Sequence, residues 1–187
     1  MKYVLISFLL FSTLMFSIGC SISPRQPALH DFGLPVSNST NKNERGNKPV
    51  IRVDAPTWLW DNRIRYRLLY SSPTQVGFYA LDLWIASPPE LFEQFLISSG
   101  KIQNYYALII RLQDFEQQFD APGRARVVLR FSVEAHSDNN KKIGTQEFYL
   151  ERPSTTPNAA GAVSGFADLN RQATDSIQVW LAGLSDK

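Results

Sequence analysis

The apolar residues of this chain change period from two to 3.6 at Ser87-Pro88-Pro89-Glu90, and that switch limits the fold more than any other feature. A serine at the N-cap, a proline at the first helical position and an acid three residues after the cap make a capping box. It satisfies backbone donors that a helix start otherwise leaves open. Leu91, Phe92, Phe95 and Leu96 then recur at helical spacing, and Gly100 supplies the residue type that ends such a helix. On both sides of this helix the spacing is two, the period of a strand with one buried face.

Residues 50–54 alternate and stop at Ala55-Pro56. In 63–70, Ile64, Tyr66, Leu68 and Tyr70 point one way and Arg63, Arg65 and Arg67 the other, so one face is packed and the other wet. A proline-containing turn at 71–74 joins this run to a second strand over 75–83, which predicts a hairpin. Beyond the helix, Tyr105-Tyr106-Ala107-Leu108-Ile109-Ile110 is nearly continuous in apolar character and suits a strand buried on both faces. The chain goes on, more polar, through Phe115 and Phe119 to a turn at Ala121-Pro122-Gly123. A regular alternation over 124–135 sends Val127, Leu129, Phe131 and Val133 inward, and 143–152 returns as the second arm of a long hairpin ended by Pro153. Val163, Phe166, Ala173, Ile177, Trp180, Leu181 and Leu184 share one face of a last helix over about 158–184. Asp168, Arg171, Asp175 and Gln178 interrupt it, so this helix packs on a core and does not cross a membrane. The expected fold is an α/β, three-layer domain: a mixed, largely antiparallel sheet of about five to six strands covered by two main helices.

The first 48 residues have a different character. Lys2 precedes an apolar run from Tyr3 to Ile18 that is too short for a transmembrane helix of roughly 20 apolar residues and reads as a signal peptide. It closes on Ser17-Ile18-Gly19-Cys20, which resembles the lipobox that bacterial lipoprotein signal peptidase cuts once the thiol has received a diacylglyceryl group. The chain therefore divides into a leader over 1–19, a lipidated Cys20 with a flexible tether over 20–48, and a domain over 49–187. The tether is rich in Ser, Asn, Pro and Lys and cannot bury enough surface to offset its ordering entropy. One island, His30-Asp31-Phe32-Gly33-Leu34-Pro35, has the makings of a short edge strand. Removing 19 of 187 residues takes one lysine and no acid, so the formal charge falls from +2 to +1. No basic stripe stands out, which argues against nucleic acid as a partner. With Cys20 acylated, no thiol is left for a disulfide, a metal or a nucleophile.

Catalysis needs titratable groups brought together, and this inventory is poor. The two histidines, His30 and His136, have no metal-ligating neighbours at useful spacing, and no nucleophile elbow, phosphate-cradling loop or zinc-protease motif occurs. Asp114, Glu116 and Asp120 lack the glycine and spacing of a calcium loop and read as a solvated strand face. No metal and no cofactor is expected. The weight moves to binding: Trp58, Trp60, Tyr66, Tyr70, Phe78, Tyr79 and Trp84 are interleaved with Arg63, Arg65 and Arg67, a composition that interfaces favour. Arg63, Arg65, Arg67, Tyr79 and Trp84 are the candidate interaction surface, with core packing as the other reading of the aromatics.

Val53-Asp54-Ala55-Pro56, Trp58-Leu59, Arg63-Ile64-Arg65-Tyr66-Arg67, Tyr79-Ala80, Trp84 and Pro88-Pro89-Glu90-Leu91-Phe92, with Asp31-Phe32-Gly33 before them and Trp180-Leu181 near the end, resemble the ABC-type transport auxiliary lipoprotein component family. Its members serve Pqi-type lipid transport systems at the outer membrane. The resemblance implies a non-enzymatic α/β domain, lipid-anchored on the periplasmic face of the outer membrane. Its partners would be an MCE-domain periplasmic protein with the associated permease and ATPase, with phospholipid and a second copy of the chain as further candidates. Ser21 after the cysteine, rather than Asp, implies outer-membrane sorting by the enterobacterial rule. A periplasmic lipid-binding lipoprotein with its own apolar pocket and a structural envelope lipoprotein are the alternatives.

Overall fold

The computed structural model describes residues 25–33, 50–102 and 106–185. Cys20 and Ser21 lie outside them, as does most of the tether. Along the chain come β1 (Ala28–His30), β2 (Ile51–Asp54), a 3-10 turn (Thr57–Leu59), β3 (Arg63–Leu68), β4 (Val76–Trp84), α1 (Pro88–Ser98), β5 (Ala107–Ala121), β6 (Arg124–His136), β7 (Lys142–Pro153) and α2 (Ala159–Ser185).

The 15-residue β5 is the spine. One edge pairs antiparallel with β6, which pairs antiparallel with β7. The other edge serves two strands in tandem, both parallel to it: β2 beside residues 108–111 and β3 beside residues 117–119. From β3 the sheet continues through antiparallel β4 to β1, a short parallel edge strand. The seven strands make one mixed sheet in an α/β fold, as the sequence implies, with the possible edge strand realised just before Phe32.

Two expectations are corrected. β5 is not buried on both faces, because Arg111 is exposed while Leu108, Ile110 and Leu112 are buried on one side. An irregularity between Leu112 and Asp114 then shifts the alternation by one, so that Phe115, Gln117 and Phe119 take over the same face. Nor do the described residues form three layers. Phe166 of α2 stacks on Phe115 at 3.8 Å, Phe92 of α1 meets Phe131 edge-on at 5.3 Å, and Phe131 stacks on Phe148, which meets Trp180 of α2. These sheet rings share one face, so both helices cover that face alone. The physical reason lies in the strands: their alternation supplies one continuous apolar face, and the other carries too many charges to bury a helix.

Local chemistry sets the helix ends. The Ser87 backbone N–H and hydroxyl both donate to Glu90 Oε2, at 3.0 and 2.5 Å, completing the predicted box, and Gly100 takes a φ of 64° after α1. Glu93 of α1 accepts the N–H of Val53 at 2.8 Å, satisfying the free edge of β2. At the start of α2 the Gly161 N–H donates to Asn158 Oδ1. Gly165 lets α2 approach β6, since a Cβ there would lie 2.6 Å from Val127 Cγ2. No helix among the described residues is long and apolar enough to cross a membrane.

Candidate interaction surface

β3 delivers its three arginines to the uncovered sheet face, where each meets an acid. Asp61, just before the strand, accepts from the Arg63 backbone N–H, from Arg63 Nε and Nη2, and from Arg65 Nη2 at 2.8 Å. Arg67 grips Glu116 of β5 through Nε and Nη2 at 2.9 and 3.0 Å, and its Nη1 donates to Pro73 O. Farther along β5, Asp114 pairs with Arg130 at 2.7 Å and Asp120 with Arg126 at 2.6 Å. The Arg63 guanidinium lies 3.7 Å from the centre of the Phe78 ring and that of Arg65 5.2 Å.

Burial alone would raise the Asp61 carboxyl, but the hydrogen bonds from Arg63 and Arg65 outweigh it and hold Asp61 below the usual carboxylate range. The hydrogen bond to Glu116 raises Arg67 in the same sense. The acidic trio 114, 116 and 120 is thus a ladder of arginine partners, in which Asp114 and Asp120 are partly solvated and Glu116 is buried. Among the described residues no group of three or more His, Cys, Asp and Glu side chains is placed to hold a metal ion.

The five sequence-predicted surface residues fall on two sides of the sheet. Arg63, Arg65 and Arg67 are together on the open face. Trp84 is a correction: it is 1% exposed, wedged edge-on among Phe32, Phe115 and Phe166, and forms part of the core. Tyr79 is also on the helical side, against Tyr66, with its hydroxyl donating to Gln117 Oε1. Burial, then the neighbouring Tyr66 and Asp82, pushes its phenol up to about 12. Gln117, itself fully buried, passes the bond on to Ser154 Oγ, joining β4, β5 and the approach to α2.

The open face has aromatics of its own. Trp58 and Trp60, from the loop that carries the chain from β2 to β3, are 60% and 45% exposed. The Trp60 indole N–H is held by Ala55 O at 3.0 Å. Sequence reasoning missed Asp61, and it named Phe78 and Glu116 without pairing them to the arginines they meet. Asp61 was within reach, two and four residues before its arginines; Glu116 pairs with Arg67 only because β3 and β5 lie side by side. Where β2 ends and β3 begins, the shift in β5 leaves a cleft of about 410 Å³ lined by Trp58, Leu59, Arg65, Arg67, Thr74 and Glu116, among others.

Fold and surface together define an α/β domain in which, among the described residues, the helices cover one sheet face and leave the other, arginine-rich face open. No family model matches the chain, and no curated protein matches it. Among solved structures it is similar to the crystal structure of protein XCC0632 from Xanthomonas campestris, described as DUF330, with a TM-score of 0.70 at 14% identity over 85% of this chain and 97% of that one. A second crystal structure, of an uncharacterized protein, is similar with a TM-score of 0.63 at 14% identity over 83% and 99%. At that identity the likeness is one of fold.

Proposed function

We propose that this chain is an outer-membrane-anchored periplasmic lipoprotein, the auxiliary component of an MCE/Pqi-type ABC lipid transport system, and that it docks the transport conduit at the outer membrane. The observation that carries the reading is the bare sheet face. Exposed Trp58 lines a cleft there with Arg65 and Arg67 of β3, and Trp60 is exposed in the same loop; Trp and Arg are residue types that dominate binding energy at protein interfaces. Asp61, Asp114, Glu116 and Asp120 are each paired with an arginine there, an arrangement that suits recognition. The sequence resemblance supplies the partner, an MCE-domain protein with its permease and ATPase. Cys20 and Ser21 supply the anchor and its address. Several acyl chains hold a protein at a bilayer where one does not, so a triacylated Cys20 would fix the domain in place.

The test is purification of the full chain from solubilised membranes under conditions that keep the rest of the transporter assembled. An MCE-domain protein recovered with it supports the proposal; a complex that lacks one contradicts it.

A further inference from the structure

The arginine ladder of the open face is uneven, and the imbalance falls in the cleft. Arg63 and Arg65 share one carboxylate, Asp61, whereas Arg67 has Glu116 and Arg130 has Asp114. Arg65 is the member left with half a partner. Its exposure is only 7%, its Nη2 alone is hydrogen bonded, and its Nε is buried with no partner. A guanidinium presents five donors in a planar fork, and a buried donor left unmatched is costly, more so on a charged group. The unmatched group lines a cleft whose wall includes exposed Trp58 and whose other apolar linings include Leu59 and Val76. Thr74 and Gln113 line it as well and add neutral polar groups. At about 410 Å³ the space is within the range of small-molecule sites.

We infer that this cleft is a binding site for an oxyanion carried on an apolar body, such as a phosphate monoester, with Arg65 taking the oxyanion and Trp58 covering the apolar part. The acids of the lining do not oppose it. Glu116 is gripped by Arg67 at two points and Asp114 by Arg130, so each negative charge is answered before a ligand arrives. One cation of the four is in surplus. A ligand oxygen on Arg65 would complete the fork, and such bidentate, charge-assisted contacts are the strong class.

The experiment is calorimetric titration of the full chain, held in phosphatidylcholine nanodiscs, with phenyl phosphate, inorganic phosphate and neutral phenyl glucoside. Phenyl phosphate is expected to bind one to one, at least about tenfold tighter than either control, since each control lacks half of the recognition. Arg65→Gln should weaken phenyl phosphate at least about tenfold and Arg65→Lys by less, because lysine keeps the charge without the fork. Trp58→Ala, at an exposed position, should weaken phenyl phosphate and leave inorganic phosphate unchanged. Dihexanoyl phosphatidic acid distinguishes the source: binding at least as tight as phenyl phosphate assigns the site to a lipid headgroup, and weaker binding to a soluble phosphate ester. Absence of phenyl phosphate binding by the folded chain, or equal affinity in Arg65→Gln and Trp58→Ala, overturns the inference.

Discussion

Phe32 offers a perturbation whose size and location both follow from the structure. It lies in a short described stretch, residues 25–33, yet is only 3% exposed and meets Trp84, Phe115 and Phe95 with ring centroids 5.2, 5.7 and 6.3 Å away. Those rings belong to β4, β5 and α1, so one side chain pins the segment to three elements. β1 itself is held by three registered pairs with β4, by His30 on Asp82 and by the Ile85 N–H on His30 O. Phe32→Ala removes a buried ring of the kind whose loss costs about 3–5 kcal/mol. The rest of the sheet keeps its pairings, so the cost should fall mainly on the docking of 25–33 rather than on global unfolding. At about 1.4 kcal/mol per tenfold, 3 kcal/mol raises the undocked population about a hundredfold. Hydrogen exchange read by mass spectrometry checks this. Peptides covering 25–33 and the edge of β4 should lose protection by about two orders of magnitude, while β5 and β6 change little. Unchanged exchange in 25–33, or an equal loss across β6, would refute the assignment of Phe32 as a local pin.

Four further outcomes follow. Trp84→Ala should lower stability by about 3–5 kcal/mol in chemical denaturation, whereas Trp58→Ala should change it by less than about 0.5 kcal/mol, since one side chain is core and the other exposed. Ser87→Ala should cost about 0.5–2 kcal/mol by removing the cap of α1. Glu90 is held below its usual 4.5 by hydrogen bonds from the Ser87 side chain and backbone; its contribution is therefore complete above pH 4.5 and lost as pH falls through the lowered folded value, so wild type and Glu90→Gln should converge in acid melts. Glu116→Gln leaves a partly buried Arg67 without its carboxylate and should cost about 1–3 kcal/mol, with most of the loss recovered on comparing Arg67→Met with the double variant.

What could be seen in the sequence was what is local. The capping box needs only Ser87 and Glu90, three residues apart, and appears as the spacing implies; the alternation of β3 gives the side each arginine takes but not its burial, since Arg65 on the expected wet face is 7% exposed. The hairpins β3–β4 and β6–β7 are adjacent pairings across short turns. The parallel pairings of β2 and β3 along one edge of β5 join residues some 50 apart, and no local pattern encodes them. The irregularity after Leu112 hid the facing of β5, because one extra residue moves Phe115 onto the side that even-numbered residues held before it. Trp84 was misplaced for a related reason. Its nearness in sequence to the arginines says nothing of its face, and the register of β3 on β4 shifts between Arg63 and Arg65. The site shows the same division: the arginines were legible as a face, but their partner Glu116 and the cleft beside Arg65 exist only after β3 and β5 are brought together.

The most direct test of the docking role is position-specific photo-cross-linking in intact membranes, with the probe in place of Trp60, exposed in the loop that leads into β3, and, as a control, in place of Val179, which is 75% exposed on α2. The account predicts a cross-link from position 60 to an MCE-domain protein and none from position 179. Cross-linking from 179 alone, or from neither position while the lipoprotein and transporter are both present in the membrane, would contradict it.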